Sequence, residues 1–393
     1  MTSILAINVS NIISPLCYSV LKLEPYSMCS MGCIYCYARW YWSANYIKPQ
    51  FTVIKYFKKT LKKIHVRGLR PIPFRLSTLV DPFQPEEEKF KISLELLKIS
   101  HEYEYPLIIN TKSILFTKNP WINLMEKLLD MGKAIIQVSI TTLDDRISKV
   151  LETRTPKPKA RLKVLKDLGT RGYPVVIRLS PFIPMVSTLP SINELVGILK
   201  DIGVKHVIVE GLRLEKDLVS KFYDLVKNYV NLNEVKLESY SIVEEGRILK
   251  LSLDRKLKWY VALRNALMRE GISFSTCKEG LFELHTAPDC CGMYLFKDDY
   301  VVRLTLNEVY RKLLDIGGLS VDEVGKFIND ICRISKVLCS NDAKSYPREI
   351  AKALIKHERR LLKVLTNASL LSKVSPNMSL EDNTITLKKL LTK

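Results

Sequence analysis

The chain reads as an α/β protein: an open, partial (β/α)6 barrel, then a cysteine-containing extension and a helical C-terminal region. Two observations predict this. Between residues 19 and 212, short apolar runs alternate with amphipathic stretches of helical period, and near-continuous apolar strands separated by helices belong to parallel sheets. Beyond residue 235 the alternation stops. The expected division is therefore 1–235 for the barrel with its N-terminal loop, 236–300 for the extension and 301–393 for the helical region.

The apolar runs at 19–23, 74–79, 106–110, 134–140, 175–179 and 206–209 are the expected strands. Helical patterns at 52–66, 88–102, 121–131, 158–171 and 192–202 connect them, and another follows near 215–230. Six units leave a wider, less closed mouth than eight. In parallel barrels the functional groups gather at the carboxyl ends of the strands. The extension holds a basic amphipathic helix near 254–270, then GISFSTCKEG and HTAPDCCGMY. From about residue 306 the chain reads as helical to 365. The polar stretch from 366 onward is expected to be loosely ordered.

At 393 residues the chain can bury a large core. Its formal net charge of +20 favours polyanions, nucleic acid ahead of an anionic membrane surface. Three basic runs contribute: Lys55, Lys58, Lys59, Lys62 and Lys63; Arg154, Lys157, Lys159, Arg161, Lys163 and Lys166; and Lys352, Lys356, Arg359, Arg360 and Lys363. Phosphate contacts from such runs give salt-sensitive binding, and Trp40, Tyr41 and Trp42 offer rings on which a base stacks. No apolar run approaches the roughly 18 residues of a membrane span, and the opening residues carry no basic leader. A cytoplasmic protein without a membrane partner is expected. Nine cysteines, an odd and clustered set, do not suggest a disulfide framework. Cys332 and Cys339 are expected on one helix with Cα atoms about 10 Å apart, too far for a disulfide.

The most specific feature is LEPYSMCSMGCIYCYARW, where Cys29, Cys33 and Cys36 are spaced C-x3-C-x2-C directly after the first strand. Three thiolates on one short loop suit three irons of a [4Fe-4S] cluster and leave the fourth open to a small molecule. That is the chemistry by which S-adenosylmethionine (SAM) is reductively cleaved to a 5'-deoxyadenosyl radical, with an electron donor as a further partner. A zinc site or redox pair is the alternative, but no second C-x2-C closes one. Tyr35 is placed for a SAM adenine to stack on it.

This loop resembles that of radical SAM enzymes, and more narrowly the spore photoproduct lyase-like (DNA repair photolyase-like) branch, with its similar PY-x2-C-x3-C-x-YCYAR segment. The likeness continues through STLVDPFQPEE (77–87), IINTKS (108–113), VSITTLDD (138–145) and IRLSPFIP (177–184), in the family's order and over about half the chain. It implies a radical SAM barrel. Asp81, with Ser77 and Thr78, is expected to accept from the SAM amine or ribose, Lys112 to pair with the carboxylate, and Ser139 to bond ribose or carboxylate. The family's use of these positions is similar. Tyr37, directly after the third cysteine, matches a tyrosine that relays a hydrogen atom in the lyase. Thr78 stands where the lyase has a hydrogen-donating cysteine, so thymine-dimer reversal by that route lacks its donor here.

Arg178 and Glu210, charged residues in apolar strands, are expected to pair. Cys277, Cys290 and Cys291, with His285 and Asp289, form a candidate second metal group for an auxiliary iron–sulfur cluster. Buried thiols are the alternative, and Cys17 reads as a core residue. The extension is expected to fold over the barrel mouth. The functional expectation is a radical SAM enzyme acting on nucleic acid. A peptide-modifying enzyme with an auxiliary cluster and a metal-stabilised, non-catalytic nucleic-acid-binding protein are the rivals.

Overall fold

Seven parallel strands form one sheet, and six of them are those the apolar runs predict. They are β1 (Lys22–Leu23), β2 (Phe74–Leu76), β3 (Leu107–Thr111), β4 (Ala134–Ser139), β5 (Val175–Phe182) and β6 (Val204–Gly211), in sequential order. The computed structural model describes residues 4–7, 9–42, 44–239, 248–297, 299–334 and 336–391. The connecting helices bury one face each. Phe51–Val66, for example, turns Val53, Phe57, Leu61 and Ile64 inward, at the spacing of a helical stripe. Phe57 meets Phe74 edge-on at 5.3 Å between ring centres, a contact worth about 1 kcal/mol beyond its buried area. The second predicted helix breaks into Glu87–Phe90 and Ile92–Glu102, because Lys91 takes a left-handed conformation at φ 54°.

The seventh strand, Ser273–Thr276, pairs in parallel with β6 and lies inside the segment expected to be a separate extension. Four residues behind a helix gave no alternation long enough to count as a barrel unit. Residues 240–247 of that extension lie outside the described residues. Beyond Ser273–Thr276 the chain crosses the amino end of the barrel, the face opposite the expected one. Lys297 N donates to Gly132 O at 3.4 Å and Val301 N to Pro71 O at 2.9 Å, just ahead of β4 and β2. Met293, Phe296 and Tyr300 pack under Ile108, Ile135, Val176 and Ile208. Gly132 permits this: at φ 66° a Cβ there would sit 2.5 Å from the Lys297 side chain.

The sheet has two edges, and the C-terminal region bonds to the chain beside both. On the β1 side, Leu5 N donates to Glu349 at 2.9 Å, Ser14 Oγ and His357 Nδ1 lie 2.6 Å apart, and Arg360 donates to Val9 O at 2.6 Å. On the other side, Ser375 Oγ donates to Gly280 O at 2.8 Å and Asn377 to Glu283 at 3.0 Å. A second core lies within this region, where Leu306, Val309, Leu361, Val364, Leu371 and Ile385 pack together with Phe282.

Two expectations fail here. The helix Val324–Cys332 ends at Cys332, and Cys339 follows a short strand, so their Cα atoms lie 5.8 Å apart and the pair forms a disulfide. The stretch after residue 366 is ordered as a helix, Ala368–Val374, and a hairpin, Met378–Glu381 with Thr384–Leu387. Asp382 and Asn383, both at positive φ, make its two-residue turn. Among the described residues, no helix is long and apolar enough to cross a membrane.

Candidate active site

The cysteine loop leaves the carboxyl end of β1, where backbone bonds hold it from both sides. Ser30 N donates to Gln84 Oε1 at 3.2 Å, Ile34 N to Leu151 O at 3.0 Å and Arg154 N to Met31 O at 3.1 Å. Gly32 makes the turn at φ 69°. Arg39 caps the loop from its far end by donating to Cys36 O and Ile34 O, both at 3.0 Å. Cys29, Cys33 and Cys36 are half-buried free thiols. Burial pushes all three up, Cys33 to about 12. Among the described residues no three His, Cys, Asp or Glu side chains stand gathered as a metal-binding set. The donor chemistry nevertheless fits a cluster: three soft ligands on one pinned loop, sheltered from water, whose protons an iron–sulfur core would displace.

Beneath the loop lies a buried ionic network that motif reading missed. Glu152 forms an ion pair with Arg161, accepts from Tyr35 and Thr141, and lies 3.3 Å from Lys112 Nζ. Burial alone would push the Glu152 carboxyl up, but Lys112 and Arg161 outweigh it and hold it well below the usual range. This corrects the reading of Arg161 as surface charge. It shares the inward stripe of its helix with Leu165 and Leu168, a spacing that was open to notice. Tyr35 is likewise buried with its hydroxyl committed to this network.

Lys112 also donates to Ser180 O at 3.0 Å. Asp81 accepts from Lys112 N and Thr111 Oγ1, both at 2.7 Å, and from Phe83 N at 3.0 Å, so it ties the loop after β2 to the end of β3. Burial raises its carboxyl. Ser77 donates to Glu24 at 2.8 Å, and Thr78 donates to Glu24 through both N and Oγ1. Glu24, at the end of β1, thus orders the segment 77–78. Ser139 donates to Asn110 at 3.0 Å.

A second cationic group lines the barrel interior. Arg178 pairs with Glu210 at 3.0 Å as expected, and Lys278 joins Glu210 at 3.0 Å from the turn after the seventh strand. Burial opposes the charge on Glu210, but Lys278, Arg213 and Arg178 together lower its carboxyl to about 2. Lys278 also donates to the Tyr37 hydroxyl at 3.2 Å. It holds a left-handed conformation at φ 61°, which a lysine adopts only at a cost. The seventh strand therefore reaches back to the cysteine loop.

Cys277, Cys290 and Cys291 share one buried cluster deep in the barrel, without forming a metal-binding set. The Cys290 and Cys291 sulfurs lie 3.9 Å apart, and Arg75 donates to Cys291 at 3.3 Å. Neighbouring Cys290 and the Arg178 guanidinium lower the Cys277 thiol against the opposing effect of burial. Asp289 is spent on the backbone amides of Cys291, Met293 and Tyr294, and His285 bonds Thr276 at 2.9 Å. Cys17 is half-buried nearby, its thiol raised to about 11 by burial.

Residues 23–189 match the family model of the radical SAM superfamily. This segment, with the cysteine loop at its start, matches a radical SAM domain, and the match implies a [4Fe-4S] cluster and SAM. The chain is similar to an uncharacterised protein of Acidianus two-tailed virus, 28% identical over 175 residues, 44% of this chain and 54% of the viral protein. It also matches one of Methanocaldococcus jannaschii, 27% identical over 238 residues, 59% of this chain and 82% of that protein. The match thus spans about half the length of the viral relative. In fold it is similar to spore photoproduct lyase solved with a dinucleoside spore photoproduct, with a TM-score of 0.51 and 14% identity over 67% of this chain and 79% of that one.

Proposed function

We propose that the protein is a radical SAM enzyme that holds a [4Fe-4S] cluster on Cys29, Cys33 and Cys36 and acts on a nucleic-acid substrate. The observation that carries this is the cysteine loop: three half-buried thiols leaving the first strand of a parallel barrel, within the segment matching the family model. When bound, the cluster supplies the electron that cleaves SAM to a 5'-deoxyadenosyl radical. The chain's own residues bind and orient. Lys112, anchored by Glu152 and Ser180 O, presents an ammonium to the SAM carboxylate. Glu24 and Asp81 hold the loops beside it, and Ser139 adds a hydroxyl. Lys278 fixes the Tyr37 hydroxyl beside the cluster loop. Nucleic acid is supported by the net charge of +20, by the exposed rings of Trp40 and Tyr41 next to the loop, and by the fold shared with a protein solved with a dinucleoside.

The test is anaerobic reconstitution followed by dithionite and SAM. About four irons per chain and release of 5'-deoxyadenosine are expected, with both lost in Cys33→Ala. Undiminished deoxyadenosine from that variant would sink the assignment.

A further inference from the structure

The helix Arg348–Leu365 spends its two faces differently. Ile350, Leu354, Leu361, Val364 and Leu365 are buried in the core. Lys352, Lys356, Arg359 and Lys363, spaced four, three and four residues apart, are exposed on the other face. With Ile355 and Arg360 they line a surface hollow of about 470 Å³. The helix has two acidic residues, and both are turned to backbone amides elsewhere: Glu349 accepts from Leu5 N at 2.9 Å and Glu358 from Ser340 N at 2.7 Å. Among the described residues, Lys352, Arg359 and Lys363 enter no ion pair.

From this we infer that the exposed face of Arg348–Leu365 is a docking surface for the phosphate backbone of a nucleic acid, separate from the cysteine loop. Resting on the nucleic-acid part of the proposed function, it names where the polymer is gripped. Lys352 to Lys363 spans eleven helical rises, about 16 Å, the axial length of about five phosphates of one strand. Charge density and helix length are therefore matched to a polyanion. An anionic membrane is disfavoured because a membrane-seeking helix needs a free apolar face, and here that face is buried in the core. Point charges on lysine and arginine stems carry no base pattern, so the grip is independent of sequence.

The experiment uses the anaerobically reconstituted protein and fluorescein-labelled 20-mers of single- and double-stranded DNA and RNA, read by anisotropy across a salt series, with co-sedimentation on phosphatidylserine vesicles as a further arm. Lys352, Lys356, Arg359 and Lys363 are replaced together by Gln, and thermal melting confirms folding. A control removes the same charge from exposed lysines outside the three basic runs, replacing Lys205, Lys221, Lys326 and Lys373 by Gln. The first variant is expected to bind at least tenfold more weakly at moderate salt, with the slope of log K against log salt reduced by about 3, while the control stays near wild type. Equal weakening in both would mean that net charge alone matters, and would overturn the inference. Unchanged binding in the first variant would overturn it while leaving the nucleic-acid reading intact. Wild-type protein that binds none of the four probes, or only phosphatidylserine vesicles, would overturn both.

Discussion

Glu152 and Arg161 form an ion pair in which neither side chain is more than 1% exposed. A charge this deep is tolerated only with its partner, and removing one side leaves the other uncompensated at a cost of about 3–5 kcal/mol. Glu152→Gln should therefore lower the unfolding free energy by that order, measured by urea denaturation. A loss below about 1 kcal/mol, the scale of an exposed pair, would mean that Arg161 finds another partner. Because Glu152 also holds Tyr35 and meets the cysteine loop at Cys33, the variant should take up less iron as well.

Lys112 is held by Glu152 and Ser180 O, and its side chain keeps 14% of its surface exposed. Lys112→Met should weaken SAM binding about tenfold or more, equivalent to roughly 1.4 kcal/mol, by equilibrium dialysis on the reconstituted protein. An unchanged dissociation constant would remove Lys112 from the SAM site and leave it a partner of Glu152.

A variant with Cys29, Cys33 and Cys36 all replaced by Ala should reconstitute colourless. The Cys290 and Cys291 sulfurs face each other, Cys291 accepts from Arg75, Asp289 is spent on backbone amides, and His285 is held through Nε2 by Thr276, with only its buried Nδ1 left without a partner among the described residues. Residual iron–sulfur absorbance in the triple variant would restore the auxiliary cluster, and with it the peptide-modifying alternative.

Acid should destabilise the protein well above the carboxylate range. His206 and His357 are buried, and burial lowers each to about 3, against about 6.5 when unfolded. Above pH 6.5 both states are neutral and nothing changes. Below it the unfolded chain binds protons that the folded one refuses, so stability falls as pH drops from about 6.5 toward 3. Each histidine contributes on the order of 1.4 kcal/mol per pH unit in that window. Thermal melting from pH 7.5 to 4.5 should show a steepening decline, and His206→Gln should flatten it. A melting temperature constant across that range would mean that these rings are protonated in the fold.

What the sequence determined by itself was local. Alternating apolar runs and helical stripes place β1–β6 and their helices, because burial of one face depends on residue spacing along a single segment. The cysteine loop was legible for the same reason, since all three thiols lie within eight residues. The tertiary structure decided which distant groups meet. Lys278 reaches Tyr37 across 241 residues, and Glu152 gathers Tyr35, Lys112 and Arg161 from three segments. The seventh strand is too short to read alone and exists because β6 offers it an edge. Cys332 and Cys339 pair because a helix ends between them. Except for that pair, seven residues apart, the deciding term is the free energy of a contact between remote segments, which no spacing along the chain encodes.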